Sequence, residues 1–162
     1  IISDAHQGLQ KAIQREFIGA AWQRCNVHFK RNIIDKLPKK DSPEIRMMIK
    51  RVFEAITIDD VRRFKDELMN RFSNEARFGK ALAILDEGFE DTIQYMNFPE
   101  NIRIHIRSTN SLERLNQEVR RRERVIRIFP NSQSAYRLVG AVLMHYHVSD
   151  YSKRKSLMGR LY

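Results

Sequence analysis

Hydrophobic residues recur at every third or fourth position through most of the chain, which is the period of an amphipathic α-helix. Seven helices are predicted, most of them preceded by a residue that can cap a helix or followed by one that ends it. Their apolar faces are Leu9–Phe17, Phe29–Leu37, Ile45–Ile56, Val61–Phe72, Phe78–Phe89, Leu112–Val119 and Ala135–Tyr146. The predicted starts are Asp4, Ser42 (with Pro43 at the first helical position), Thr57, Asn74, Asn110 and Asn131.

Strand-like segments are few. Ile1-Ile2 is typical of the end of a strand. Residues 20–25 could form a short strand, because apolar and polar residues alternate from there to Val27. Ile102, Ile104 and Ile106 alternate with polar residues, which predicts either a strand or an extended segment that leads into a helix. The pattern therefore predicts an α+β fold that is predominantly helical.

The distribution of charge divides the chain into three parts. Acidic residues outnumber basic ones between positions 54 and 91, whereas basic residues dominate on both sides. The acidic segment is also the part without strand signals. We therefore predict a first core segment at 1–37, an all-helical insertion at 38–100 that faces away from a polyanionic partner, and a last core segment at 101–162.

Composition limits the functions that are available. The chain has 162 residues and a formal net charge of +10, which makes nucleic acid the first candidate partner, although a basic domain without such a partner stays open. Nine Phe and 42% hydrophobic residues are enough for a packed core, and one Cys excludes an internal disulfide framework. The sequence has neither a Gly-rich phosphate loop nor a G-x-S-x-G motif, and no apolar run of membrane-spanning length.

Two carboxylates stand where they could hold a metal ion. Asp4 follows a predicted strand end and precedes a helix, so it would lie at the carboxyl edge of a sheet, but it could equally be an ordinary helix cap. Glu113 lies in the first turn of a predicted helix, on a stripe with amides and arginines. A bound metal ion would explain why a carboxylate, Glu113, lies among arginines. The alternative is that Glu113 forms a capping box with Asn110.

Two further groups are candidates for binding. The arginines at 120–122, 124 and 127 form a dense cluster that could contact phosphates, or could be a solvated helix face. Cys25 and His28 have the spacing C-x-x-H, which alone favours a buried thiol and a packing histidine over a metal site. A site there would need another ligand, for which the candidates are His6, His105, His145 and His147.

Several motifs, in the same order along the chain, resemble those of bacterial Mutator-type insertion-sequence transposases. Ser3-Asp4-Ala5-His6-Gln7-Gly8-Leu9 is similar to the motif of the second catalytic aspartate, and residues 19–29, with Trp22, Cys25 and His28, resemble the segment that follows it. Residues 108–116 and 118–122 resemble the glutamate motif, and residues 129–131 and 137–141 its continuation. The resemblance covers most of the chain outside 38–100.

The resemblance implies a fold, a chemistry and a set of residues. The fold would be part of a ribonuclease-H-like DDE core with an all-α insertion, and the reaction would be metal-dependent cleavage and transfer of DNA strands. Two Mg²⁺ or Mn²⁺ ions would be held by Asp4, Glu113 and a further aspartate. The expected DNA contacts are Arg107, Arg114, Asn116, Arg120, Arg121, Arg122 and Arg124. The roles of His6, Trp22, Cys25 and His28 stay open.

The first catalytic aspartate of the family would precede Ile1. We therefore expect this chain to be a fragment that is inactive alone, and the full protein to work as a homo-oligomer on transposon ends and target DNA in the bacterial cytoplasm, without a membrane. The alternatives are a non-catalytic basic helical DNA-binding module, such as a domesticated or decayed transposase, and a helical scaffold for protein interaction.

Overall fold

A computed structural model describes residues 1–40 and 42–158. It contains two compact units, one at residues 1–109 and one that begins at Asn110. Across the described residues, helices dominate and one two-stranded sheet is present. The predicted α+β class with a predominance of helix is therefore confirmed.

The sheet of the first unit consists of β1 (Ile2–Ser3) and β2 (Gln23–Arg24), which pair in parallel. Both strands fall within segments that the sequence predicts to be extended. Helix α1 (Gln7–Glu16) connects them, as a parallel pair requires. The predicted apolar face of α1 is only partly correct: Ile13 is buried, but Leu9 is 43% exposed, and Phe17 lies after the end of the helix and is 57% exposed.

Four further helices build most of the hydrophobic core of the first unit. They are α2 (Asn26–Ile34), α3 (Pro43–Glu54), α4 (Ile58–Phe72) and α5 (Gly79–Ile93). Most of the predicted apolar positions are buried there, including Phe29, Ile45, Leu68 and Phe89. Ile56 is an exception, because α3 ends before it and leaves it 63% exposed.

Several of the predicted helix starts have a different local structure. Asp4 does not cap α1, which begins at Gln7 with His6 at the cap position. Thr57 caps α4 as predicted, because its hydroxyl accepts a hydrogen bond from the Asp60 N–H at 3.1 Å. The cap predicted at Asn74 is wrong: a short 3-10 helix, Ala76–Phe78, intervenes before α5. The Ser42 side chain does not cap α3 either, since its hydroxyl donates back to the Pro38 carbonyl at 2.7 Å.

The alternating isoleucines at 102–106 do not form a strand. They lie in α6 (Glu100–Ile106), so both the predicted strand and the predicted extended segment are wrong. Ile104 is 62% exposed, while Ile106 packs at the edge of the core. Apolar and polar residues can alternate over five positions of a helix if only its last turn packs on a core. The apolar side chains of the earlier turn can then face solvent.

Gln23 attaches β2 to the helical core. Its buried side-chain amide donates to the Thr92 carbonyl at 2.6 Å, and its side-chain oxygen accepts from the Tyr95 N–H at 2.8 Å. Thr92 lies at the end of α5, and Tyr95 lies in the 3-10 helix Gln94–Asn97 that follows. These hydrogen bonds connect the strand pair to the end of α5.

The second unit contains α7 (Asn110–Ile126) and α8 (Ser132–Met158). The side-chain oxygen of Asn131 accepts from the Ser134 N–H at 2.9 Å, which confirms the predicted cap of α8. Val142, on the predicted apolar face, is 1% exposed. Among the helices within the described residues, none has both the length and the apolar character that crossing a membrane would require.

Candidate active site

Asp4 leaves the carboxyl end of β1 and precedes α1, as the sequence predicts. Its side chain is 54% exposed, and its Oδ1 lies 2.7 Å from Nδ1 of His28. The pairing of β1 with β2 explains this contact, since the Cys25 N–H donates to the Ser3 carbonyl at 2.9 Å and thereby aligns the ends of both strands. Asp4 and the start of α2 therefore meet at one edge of the sheet.

Cys25 lies directly after β2 and occupies the cap position of α2, and His28 follows in the first turn. Cys25 is fully buried, and its Sγ accepts hydrogen bonds from the Thr109 N–H and the Thr109 hydroxyl, both at 3.4 Å. One donor atom each from Asp4, Cys25 and His28 lies within 4.8 Å of the others. The structure therefore places the Asp4 carboxylate beside the two residues of the C-x-x-H spacing.

The other sequence motifs near Asp4 have structural contacts. The Trp22 indole N–H donates to the Ser3 hydroxyl at 2.8 Å, so Trp22 connects β2 to β1 and is only partly buried. His6 precedes α1 without capping it through its side chain and is exposed. Neither His6 nor His105, two of the proposed further ligands, belongs to the cluster; the additional donor is the carboxylate of Asp4.

Arg24 lies in the segment at residues 19–29 but is not among the candidate functional residues of the sequence. Its guanidinium lies 4.4 Å from the centre of the Phe29 ring and passes over Gly88. Burial lowers the pKa of Arg24, and the carboxylates of Asp91, Glu87 and Asp4 act in the opposite direction. A Cβ atom on Gly88 would lie 2.6 Å from the Phe29 ring, so glycine leaves the space that this packing needs.

The second unit carries the glutamate motif on α7. Glu113 lies in the first turn of this helix and is partly buried, whereas Arg114 and Asn116 are exposed. The helix begins at Asn110 itself, which places Asn110 within the helix rather than before it. Arg107 belongs to the first unit, where it is exposed after the end of α6.

The cluster that we call the arginine surface of α7 comprises Arg120, Arg121, Arg122, Arg124 and Arg127. Two of its members are paired within the helix. Arg121 donates to Glu118 at 3.0 and 2.8 Å, and Arg122 donates to the same carboxylate at 3.1 Å. The hydrogen bonds from Arg121, followed by those from Arg122, lower the pKa of Glu118 to about 2, although burial opposes them.

The remaining arginines of this surface line a shallow groove. Arg120, Arg124 and Arg127 surround it together with one carboxylate, that of Glu123. Arg127 follows the last turn of α7 and has a positive φ of 62°, where the backbone departs from the helix. The sequence places Arg127 in the arginine cluster, although the DNA contacts expected from the resemblance do not include it.

A family model described as "Transposase, Mutator family" matches residues 1–152. The chain belongs to the Mutator family of transposases. Similar curated proteins include the transposase for insertion sequence element IS256 in transposon Tn4001 of Staphylococcus aureus, 49% identical over 156 residues. The transposase for ISRM5 of Rhizobium meliloti is 37% identical over 147 residues, and that for IS1081 of Mycobacterium tuberculosis is 36% identical over the same length.

These Mutator-family relatives are much longer than the matched region. The match covers 96% of this chain and 40% of the IS256 transposase, and 91% of this chain and 36% of the ISRM5 transposase. The resemblance carried by the sequence motifs is thus confirmed at the level of the family. The matched region includes both predicted carboxylates, the C-x-x-H segment and the arginine surface of α7.

Proposed function

We propose that this chain is part of the catalytic domain of an insertion-sequence transposase that cleaves and transfers DNA strands in a metal-dependent reaction. The observation that carries the proposal is the position of Asp4. Its exposed carboxylate follows the end of a strand of the parallel pair, in a chain that belongs to the Mutator family of transposases. This is where a ribonuclease-H-like DDE core, the fold that the resemblance implies, would hold a catalytic aspartate.

Asp4 and Glu113 would supply two of three carboxylates in the proposed site. Oxygen ligands are those that Mg²⁺ and Mn²⁺ prefer, and the carboxylate of Asp4 is open to solvent. Glu113, in the first turn of α7, is the second carboxylate that the resemblance implies. When bound, two such ions activate water or a 3′-hydroxyl and stabilise the leaving oxygen.

The residues around Asp4 would orient it rather than react. His28 Nδ1 lies 2.7 Å from one carboxylate oxygen and restricts the rotation of the side chain. The strand pair holds the backbone of Asp4 through the hydrogen bond between Cys25 and Ser3. We propose that the third carboxylate is the upstream aspartate implied by the resemblance, and that this chain therefore does not cleave DNA by itself.

Metal binding tests the two proposed carboxylates. We expect Asp4→Asn and Glu113→Gln each to weaken the binding of Mn²⁺ to this chain, measured by electron paramagnetic resonance, because each change removes one anionic oxygen ligand. Asp35→Asn, a carboxylate at the end of α2, is the control and should leave Mn²⁺ affinity unchanged.

Two outcomes would contradict this proposal. Unchanged Mn²⁺ affinity in both variants would favour the non-catalytic DNA-binding module. Nicking of DNA by the purified chain with Mg²⁺, lost on Asp4→Ala, would show that the upstream aspartate is not needed.

We further propose that the arginine surface of α7 contacts DNA phosphates. In this arrangement Glu118 limits binding, because it neutralises Arg121 and Arg122. With a pKa of about 2, Glu118 is ionised at any pH at which DNA binding would be measured. Glu118→Gln should therefore strengthen the binding of nonspecific duplex DNA several-fold at low salt. The slope of the logarithm of the binding constant against the logarithm of the salt concentration should become steeper by up to about 0.9 for each additional phosphate that an arginine neutralises.

The control for this prediction removes the same charge elsewhere. Glu16 accepts from Arg15 at 2.6 Å on the exposed surface of the first unit, so Glu16→Gln also releases one arginine. Fluorescence anisotropy across a salt series would compare the two variants with the unchanged chain. Equal effects of both would mean that only net charge matters and that α7 is not a preferred contact surface.

A further inference from the structure

The cluster of Asp4, Cys25 and His28 combines three kinds of metal ligand. In a tetrahedral zinc site with bonds of about 2.0–2.3 Å, neighbouring donor atoms lie about 3.3–3.8 Å apart. Here one donor atom of each residue lies within 4.8 Å of the other two, and Asp4 Oδ1 and His28 Nδ1 are 2.7 Å apart. A cation could replace the contact between these two atoms after side-chain shifts of about 1 Å.

The backbone brings these three donors together. Cys25 and His28 lie three residues apart at the start of α2, so their side chains lie on neighbouring positions of one helix face. Asp4 approaches from β1, whose pairing with β2 is fixed by the hydrogen bond from the Cys25 N–H to the Ser3 carbonyl. We infer that Asp4, Cys25 and His28 form a binding site for a thiophilic divalent cation of the Zn²⁺ class.

The surroundings of the sulfur support this inference. The Thr109 N–H and the Thr109 hydroxyl both donate to Cys25 Sγ, as outer-shell groups do toward ligating atoms in metal sites. Cys25 is fully buried, but the Asp4 side chain is 54% exposed, and this exposed side gives a cation a path to the sulfur. Three protein ligands with one open position are the pattern of zinc sites that also bind water or substrate.

The donor set separates this site from the one proposed for transposition. Sulfur and imidazole select Zn²⁺ and Cd²⁺, whereas Mg²⁺ and Mn²⁺ prefer oxygen. Only Asp4 belongs to both sites, so a bound thiophilic cation would occupy the carboxylate that the proposed reaction needs. Binding of the thiophilic cation itself does not depend on the proposed function.

Titration of the 162-residue chain with Cd²⁺ tests the site directly. Because Cys25 is the sole cysteine, any ultraviolet charge-transfer band between thiolate and cadmium must come from it. We expect a band that saturates at one Cd²⁺ per chain and disappears in Cys25→Ser. Loss of an outer-shell partner lowers metal affinity by about 10- to 100-fold. Asp4→Asn and His28→Ala each remove a ligand, so each should weaken Cd²⁺ binding by more than that.

Matched variants complete the experiment. His105→Ala, an exposed histidine of the same unit, should leave Cd²⁺ affinity unchanged, and Thr109→Val should weaken it by about 10-fold or less because the Thr109 N–H remains. Circular dichroism would verify folding. If Cys25→Ser fails to fold, Asp4→Asn still decides, because it alters an exposed side chain of nearly the same shape.

Three results would overturn the inference. They are the absence of a thiolate band, unchanged Cd²⁺ affinity in Asp4→Asn and His28→Ala, and saturation at one Cd²⁺ for two chains, which would mean an intermolecular site. Mn²⁺ binding in Cys25→Ser keeps the two proposals apart. If Cys25→Ser no longer binds Cd²⁺ but still binds Mn²⁺, both proposed sites are supported. If Cys25→Ser still binds both ions, only the thiophilic site is overturned.

Discussion

Phe29→Ala is expected to lower the free energy of unfolding of the first unit by about 3–5 kcal/mol, the usual cost of removing a fully buried phenylalanine. The Phe29 side chain is 0% exposed. Its ring meets the Phe53 ring edge-on at a centroid distance of 5.9 Å, and the Arg24 guanidinium covers it at 4.4 Å. Because the ring is packed from several sides, the cavity left by alanine cannot close without moving a helix.

Urea unfolding followed by tryptophan fluorescence would measure this cost. Trp22 is the sole tryptophan and lies in the first unit, so its signal reports on that unit. Phe98→Ala is the control, because Phe98 is 49% exposed and its loss should change stability by no more than about 0.5 kcal/mol. A similar cost for both variants would mean that Phe29 is not a centre of the core.

Phe29 also connects stability to the candidate site. It follows His28 directly in α2, so the contact that holds α2 on α3 and α5 also fixes the helix that carries Cys25 and His28. A weakened core should therefore loosen the cluster before the unit unfolds.

Much of the fold could be predicted because its helices have strong local signals. Residues such as Ile45, Ile49, Leu68 and Phe89 recur with the helical period and are buried as that period predicts. Leu9 also has the period but is not buried, because burial depends on a partner surface that periodicity does not describe. The isoleucines at 102–106 show the converse, since their alternation belongs to a short helix with few buried contacts.

The candidate site was predictable in part for the same reason. The position of Asp4 after a strand end could be inferred locally, and the family motif drew attention to Cys25 and His28. The contact between Asp4 and His28 could not, because it depends on the pairing of β1 with β2 across about twenty residues of chain. The contacts of Arg24 could not be predicted from the sequence either, since they depend on the space that Gly88 leaves for its guanidinium.

Gln23 gives the second large expected effect, for a reason that sequence patterns also miss. A glutamine in a short strand usually faces solvent, yet Gln23 is 6% exposed and satisfies two backbone groups at the end of α5. Gln23→Met keeps the approximate length and volume of the side chain but removes both polar atoms. The buried Thr92 carbonyl and Tyr95 N–H then lose their partners, at about 1–3 kcal/mol each.

We therefore expect Gln23→Met to lower the free energy of unfolding of the first unit by about 2–6 kcal/mol, as measured by the same fluorescence experiment. Gln94→Met is the matched control, because the Gln94 amide donates to the Glu90 carbonyl at 3.1 Å and accepts from the Asn97 side chain at 3.4 Å, both on the exposed surface. Loss of these exposed hydrogen bonds should cost no more than about 0.5 kcal/mol. Equal costs would show that water replaces Gln23 at both groups. A selective loss would mean that the strand pair carrying Asp4 is held to the helical core through a buried polar contact, so that the position of Asp4 depends on α5 although the two are far apart in sequence.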